Sequence, residues 1–351
     1  MRTVKSVLLC ICRNCRIAAV LAVSVMALIA VPDVSGQGDA MLTHYWAVPT
    51  YYNPAAVGDT DYLRLRGGSR LQWVGIDNAP RTFLATADLP FVLAGKRFGA
   101  GLVAQQESMG LYRNLTVSLQ LGYKLRLLKG ELTLALQGGF LNEQFKGSEV
   151  YIPDGDDFHQ PADEAIPDHD VAGNAFDVGL GAYYRRGGSW IGLALLHANN
   201  PTVTLSSEGT GGGITGGITD GGVTGVRNFE FTAPRVLYFT AGSNIKVKNT
   251  LLEVIPSILV RSDFDFTSFE LTGRLRYNSM FSAGVGCRYK DAVSLMLGAE
   301  IKGIFLGYSY DYNFGDIAGA SSGSHEIFAG YSLKLDFSEK NRNKHKSIRI
   351  M

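Results

Sequence analysis

Between Asn114 and Phe140 apolar and polar side chains alternate with a period of two. Leu115, Val117, Leu119, Leu121, Tyr123, Leu125 and Leu127 occupy every second position, with Thr116, Ser118, Gln120, Gly122, Lys124 and Arg126 between them. After Lys129-Gly130 the alternation resumes through Leu132, Leu134, Leu136, Gly138 and Phe140. Successive strand side chains point to opposite faces, so this is a long β-hairpin with one apolar and one polar face. Strands of globular proteins average about five or six residues. Longer ones, joined by tight turns and repeated along a chain, are the pattern of a barrel standing in a membrane.

Fourteen segments carry this pattern, from 62–75 at one end to 324–337 at the other, with twelve and sixteen left open as counts. Their connections alternate in length. Tight turns are expected at 93–96, 128–130, 186–188, 247–249, 278–280 and 302–303, and longer loops at 147–173, 199–234 and 315–323. Bacterial outer-membrane barrels have an even strand number, short periplasmic turns and longer outer loops. Tyr308, Tyr310 and Tyr312 share one face of the thirteenth segment, and Tyr331, Leu333, Leu335 and Phe337 one face of the last. Tyrosine suits a membrane–water interface, where the ring is half buried and the hydroxyl hydrated.

The start of the chain sets the compartment. Arg2, Lys5, Arg13 and Arg16 precede an uncharged run at 17–31, and Val34-Ser35-Gly36 is small enough for a signal peptidase. Residues 1–36 therefore read as a secretory signal peptide cleaved between Gly36 and Gln37. The run falls short of the roughly 20 apolar residues of a spanning helix. Cleavage removes Cys10, Cys12 and Cys15, leaving Cys287 alone and no intramolecular disulfide. It also leaves 29 basic and 31 acidic residues, a net charge of −2. Residues 338–351 hold five cations, from Lys340 to Arg349, against Glu339, so the barrel at 37–337 is acidic and a basic periplasmic tail follows it. An acidic body argues against nucleic acid as a partner. Glycine, 42 of 351 residues, is well above its usual share of about 7% and suits tight turns and crowded barrel walls.

Several motifs together resemble one family. Tyr52-Asn53-Pro54-Ala55-Ala56 is followed by Arg70-Leu71-Gln72-Trp73-Val74-Gly75 and Ala79-Pro80. Near the other end stand Asp291-Ala292-Val293, Gly307-Tyr308-Ser309-Tyr310-Asp311-Tyr312 and Ser322-Gly323-Ser324-His325-Glu326. In this order they resemble the opening and closing signatures of the PorP/SprF family. The resemblance implies an outer-membrane β-barrel of the bacterial type IX secretion system in Bacteroidetes, with gliding motility in some members. It implies as partners secreted cargo proteins with C-terminal sorting domains, periplasmic ring components of the secretion machine and outer-membrane lipid. The basic extension after Phe337 departs from barrels that end at a terminal aromatic residue.

No constellation reads as a catalytic, cofactor-binding or metal site, and the chain is expected not to be an enzyme. Ser324, His325 and Glu326 are consecutive, and consecutive strand residues face opposite ways, so they form no triad by themselves. The acidic loop at 147–173 carries Asp154, Asp156, Asp157, Asp163, Glu164 and Asp168, which misses the spacing of a Ca²⁺ loop. The glycine-rich stretch 209–225 lacks the ending of a phosphate loop. The polar faces carry Gln120, Lys124, Gln137, Glu300 and Lys302. They line an open channel or fill a closed interior, and about fourteen strands allow either. A passive porin for small solutes is thus the alternative function. Arginine is expected to be costly at Leu119 on the lipid face and much less so at Gln120.

Intact mass or N-terminal sequencing of membrane-extracted protein should show a chain starting at or near Gln37. A species retaining residues 17–31 would overturn the compartment assignment.

Overall fold

The computed structural model describes residues 39–150, 169–205, 229–314 and 316–336. The ladder begins with β1 (Tyr62–Leu71), β2 (Arg81–Leu93), β3 (Lys96–Met109), β4 (Tyr112–Leu127), β5 (Gly130–Lys146), β6 (Asp170–Arg186) and β7 (Ser189–Leu196). A short hairpin, β8 (Thr202–Leu205) and β9 (Phe229–Thr232), stands outside it. The ladder resumes with β10 (Val236–Ser243), β11 (Ile245–Lys246), β12 (Leu252–Ser262), β13 (Thr267–Tyr277), β14 (Phe281–Arg288), β15 (Ala292–Ile301), β16 (Ile304–Asn313) and β17 (Ser324–Lys334). β10 pairs with both β7 and β12, and β11 continues its line along β12 past Asn244. β1 pairs with β17 from Tyr62↔Lys334 to Leu71↔His325, which closes the ring. With β10 and β11 taken as one, the described residues make an antiparallel barrel of fourteen strands.

The tight turns lie where the glycine and polar punctuation put them. Two-residue hairpin loops that match strand twist need positive φ at both central residues. Leu128 and Lys129 supply it with φ of 46° and 64°, and in the three-residue loop between β13 and β14 Asn278 and Ser279 are positive too, at 51° and 55°. By the outer-membrane rule, this end and the start of β1 face the periplasm.

Side chains sort by face as the alternation requires. Leu119 is 67% exposed and its neighbour Gln120 4%. Along β2, Phe83 points out while Thr82, Leu84, Thr86 and Asp88 point in. Leu295, Leu297, Leu306 and Ile327 extend the apolar outer belt, while Ser294, Ser309, Asp311 and Glu326 are buried inside. The molecule is therefore apolar outside and largely polar within, the reverse of a soluble barrel.

That interior is filled by the chain's own N-terminal segment. A helical turn, Pro49–Tyr52, and a 3₁₀ turn, Pro54–Ala56, sit inside the wall. Leu42, Tyr45, Val48, Tyr51 and Tyr52 form one cluster with Leu84, Val103, Tyr238, Leu259, Phe305 and Phe328 of the strands. Neither reading left open for the polar face stands as stated, because among the described residues the interior is occupied mainly by this segment, with Gln120 and Gln137 supporting it.

Two expectations change in detail. The first strand stops at Leu71 rather than 75, because Trp73 adopts φ 50°. The next residue then clamps the 314–323 connection, with Val74 N donating to Gly323 O at 2.8 Å and Ser322 N donating to Val74 O at 2.7 Å. The 199–234 loop contains the β8–β9 hairpin, whose Val203, Leu205 and Ala233 pack on Leu141 and Val171. The signal at 1–36, the carboxylates at 154–168, the glycine-rich 209–225, Phe337 and the tail at 338–351 lie outside the described residues.

Gln120 is less tolerant than its face alone implied. Its Nε2 donates to Thr50 O at 2.8 Å and to Gln137 Oε1 at 2.7 Å, so the space around it is already occupied. Leu119→Arg should cost about 2–4 kcal/mol if the residue sits at the bilayer midplane. Gln120→Arg should cost about 1–3 kcal/mol from overpacking, closer to the Leu119 figure than the face alone implied. Denaturant midpoints of the refolded barrel, followed by unboiled-gel mobility, measure both.

Candidate functional site: the internal plug and its seats

The segment from Asp39 to Gly58 lacks the period-two pattern, and its aromatic and polar groups find separate partners on the wall. At the loop end, Asp39 Oδ1 lies 3.3 Å from His197 Nε2, and Tyr238 OH donates to Asp39 Oδ2 at 3.0 Å. His197 follows β7, and its Nδ1 meets Asp177 Oδ1 at 2.9 Å. Burial disfavours the imidazolium, and the Asp39 and Asp177 carboxylates outweigh that, holding the ring up at about 10. Burial likewise raises Asp39, but His197 pulls it down to about 2. A carboxylate thus faces each ring nitrogen, an arrangement that favours the imidazolium.

Deeper in, one carboxylate holds the segment by its backbone. Glu326 Oε1 accepts from His44 N at 2.7 Å and lies 2.8 Å from His44 Nδ1, while Oε2 accepts from Thr43 N at 3.0 Å. Arg70 braces that carboxylate at 3.3 Å and Asp311 at 2.7 Å. Asp311 in turn accepts from Thr43 Oγ1 at 2.8 Å. Arg288 joins Glu270 at 3.0 Å and stands 4.0 Å from Asp311. All five of these charged side chains are at most 3% exposed. Removing one partner from such a buried pair typically costs about 3–5 kcal/mol, so the cluster holds together as a unit.

Nearer the tight turns, fit replaces charge. Asn53 Oδ1 accepts from Ala55 N at 2.8 Å and caps the 3₁₀ turn. Its Nδ2 donates to Ala182 O at 3.1 Å and Leu193 O at 3.4 Å, tying the turn to β6 and β7. This approach requires glycine on the wall, because a Cβ on Gly181 would strike Asn53 Oδ1 and one on Gly192 would sit 2.7 Å from Asn53 Nδ2. Val57 enters a similar seat, where a Cβ on Gly99 would strike its carbonyl. Gly58 then turns the chain out with φ 57°, donating to Asp88 Oδ2 at 2.9 Å, and Asp88 is held by Arg64 at 2.9 Å.

The family-like motifs thus converge. Tyr52 to Ala56 belong to the plug, and Arg70, Asp311 and Glu326 are its seat. Ser324 and Glu326 point inward, whereas His325 points out and meets Tyr308 OH at 2.8 Å, so the three do not converge. Gln120 and Gln137 support the plug, Lys124 pairs with Glu131 at 2.8 Å, and Glu300 and Lys302 line the tight-turn mouth. Sequence reasoning missed Asp39, Thr43, His44, Glu270 and Arg288. The available signal was an aromatic-rich stretch ahead of the first strand, Tyr45, Trp46, Tyr51 and Tyr52, with no periodicity of its own. Among the described residues no group of three or more His, Cys, Asp or Glu side chains is placed to hold a metal.

The plug separates two spaces. A vestibule of about 800 Å³ opens at the tight-turn end, bordered by Tyr45, Trp46 and Asn53. A cleft of about 300 Å³ lies on the loop side, bordered by Asp39, Glu107, Glu143 and His197.

A family model described as "Type IX secretion system membrane protein PorP/SprF" matches residues 34–331. Among curated proteins no match was found. Similar solved structures include the toluene transporter TodX of Pseudomonas putida, at TM-score 0.43 and 10% identity, covering 82% of this chain and 93% of that one. A Pseudomonas aeruginosa FadL homologue matches at 0.42 and 12%, covering 81% and 93%. The translocator domain of autotransporter NalP from Neisseria meningitidis matches at 0.42 and 13%, covering 83% and 96%. The barrel assignment rests on the closed ladder and not on these likenesses.

The Asp39–His197 link should be pH-dependent at both limits. His197 is raised in the folded state, so its contribution is full below about 6.5 and is lost as pH rises through about 10. Asp39 is lowered, so its contribution is present above 3.8 and is lost as pH falls through about 2. The difference in melting temperature between the parent protein and Asp39→Asn should shrink as pH rises through 10. A difference independent of pH would contradict the link.

Proposed function

Because the chain belongs to the PorP/SprF family of type IX secretion system membrane proteins, we propose that it serves secretion by contact rather than by conduction. It is an outer-membrane β-barrel whose role is to help cargo proteins with C-terminal sorting domains cross to, or stay at, the cell surface. Its periplasmic face meets the ring components of the machine, and the basic stretch 338–351 supplies charge for an acidic partner there. It does no covalent chemistry, and any part in gliding motility follows from the cargo it handles.

The single observation carrying this reading is the occupied lumen. Residues 39–57 are seated by buried carboxylates and by glycine-lined hollows, with partners on both halves of the wall. A barrel filled this way offers its ends and its outer surface to partners, which suits a secretion accessory and disfavours a porin.

Deletion of the gene should leave a defined subset of secreted proteins trapped or missing from the surface, with small-solute uptake unchanged. Normal cargo display together with impaired solute uptake would instead support the porin.

A further inference from the structure

We propose that the vestibule at the tight-turn end is a carboxylate-binding site for an acidic stretch of polypeptide entering from the periplasmic side. The inference rests on the geometry of the lumen and does not depend on the secretory role.

Among its charged lining residues cations outnumber acids seven to two. Arg64, Arg185 and Arg276 already have carboxylates in Asp88, Asp59 and Glu253. Arg274 does not. It is 7% exposed, yet among the described residues it has no hydrogen bond or ion pair, and its Nε is buried without a partner. Its guanidinium carbon lies over the Trp46 ring of the plug, 3.7 Å from the ring centroid. Arg66 lies 5.0 Å from the Phe305 ring centroid with its Nε unpartnered, but its terminal nitrogens already donate to Leu65 O at 3.1 Å and Ser332 Oγ at 2.9 Å, and Glu300 is 3.9 Å away, so Arg274 is the open member of the two. Trp46 and Phe305 meet edge-on at 5.6 Å, so two guanidinium groups flank one aromatic pair.

A buried cation stacked on a ring has one face satisfied and its in-plane donors still open. Those donors form a fork held rigid by the stack, which fits the two oxygens of a carboxylate. An unpaired buried charge is costly, so a site that retains one gains most from an anion. The rim adds Lys302 and Lys334, which draw negative charge toward the opening.

The occupant follows from shape. The cavity lies inside a closed wall, so a bilayer lipid cannot enter it sideways. Its volume of about 800 Å³ is within the range of ligand pockets, about 300–1,000 Å³, and admits a few residues of peptide. Tyr45, Tyr183 and Trp190 offer apolar and hydroxyl surface to the side chains beside the acid. The chain's own stretch 338–351, with five cations against one acid, has the wrong charge for it.

Two of the three tryptophans, Trp46 and Trp190, border the cavity, so intrinsic fluorescence of the full mature protein in detergent reports on it. The probe is a blocked peptide of alternating Glu and Leu, compared with its Gln counterpart and with inorganic phosphate. The Glu peptide should give a saturable change that weakens as salt rises from about 50 mM to about 500 mM. Arg274→Gln should weaken it about tenfold or more, the loss of one charge-assisted pair. Arg274→Lys should fall between, and Lys290→Gln at the opposite end should match the parent. Should Arg274→Gln fail to show the folded gel mobility, Arg274→Lys, which keeps the charge and loses the fork, carries the test through its weakened binding. No saturable change, equal binding of the Gln peptide, equal displacement by phosphate, or parent-like binding by a folded arginine variant would each overturn the proposal.

Discussion

In hydrocarbon no water is available to an unpaired amide, so every backbone donor and acceptor of a spanning strand must find a partner in the protein. This constraint accounts for the pairing of β1 with β17, which joins residues more than 250 positions apart and leaves no open edge. It also fixes the alternation, since each strand then has lipid on one side and the lumen on the other. The side chains at Leu119 and Gln120 differ so sharply in exposure because the pleat gives them opposite solvents.

Closure creates a second problem, which the N-terminal segment solves. The inward faces of the strands carry Arg70, Glu270, Arg288, Asp311 and Glu326, groups that are costly to bury unless paired and hydrogen-bonded. The wall pairs them with one another but leaves carboxylate oxygens over. The backbone and side chains of Thr43 and His44 occupy those oxygens. In exchange the plug brings apolar residues that fill space no single strand can reach, Tyr52 and Leu42 among them. The glycine excess acquires a specific use here, because Gly99, Gly181 and Gly192 mark where the plug's backbone or Asn53 touches the wall.

The barrel was legible in the sequence because period-two alternation is a local signal and the turns that punctuate it are local too. The fourteen segments, their tight turns and the outward tyrosines of β16 all follow from neighbours within a few residues. The plug was not legible for the opposite reason. His44 and Glu326 are 282 positions apart, and the aromatic-rich composition of residues 39–57 marks a buried segment without saying which strands receive it. Trp73 is a smaller case, a residue whose type suits a strand but whose φ is set by the clamp between Val74 and the 314–323 connection. Arg70, Asp311 and Glu326 were visible as parts of motifs, yet their shared task appears only when the ladder brings β1, β16 and β17 side by side.

The most direct test of this account is the conductance of the purified mature protein in a planar bilayer, beside a known porin as control. A lumen filled by residues 39–57 predicts insertion without steady open-channel current across the range of voltage in which the porin conducts. A stable, ohmic conductance from the unmodified protein would show that the interior is a water-filled path and would contradict the plug.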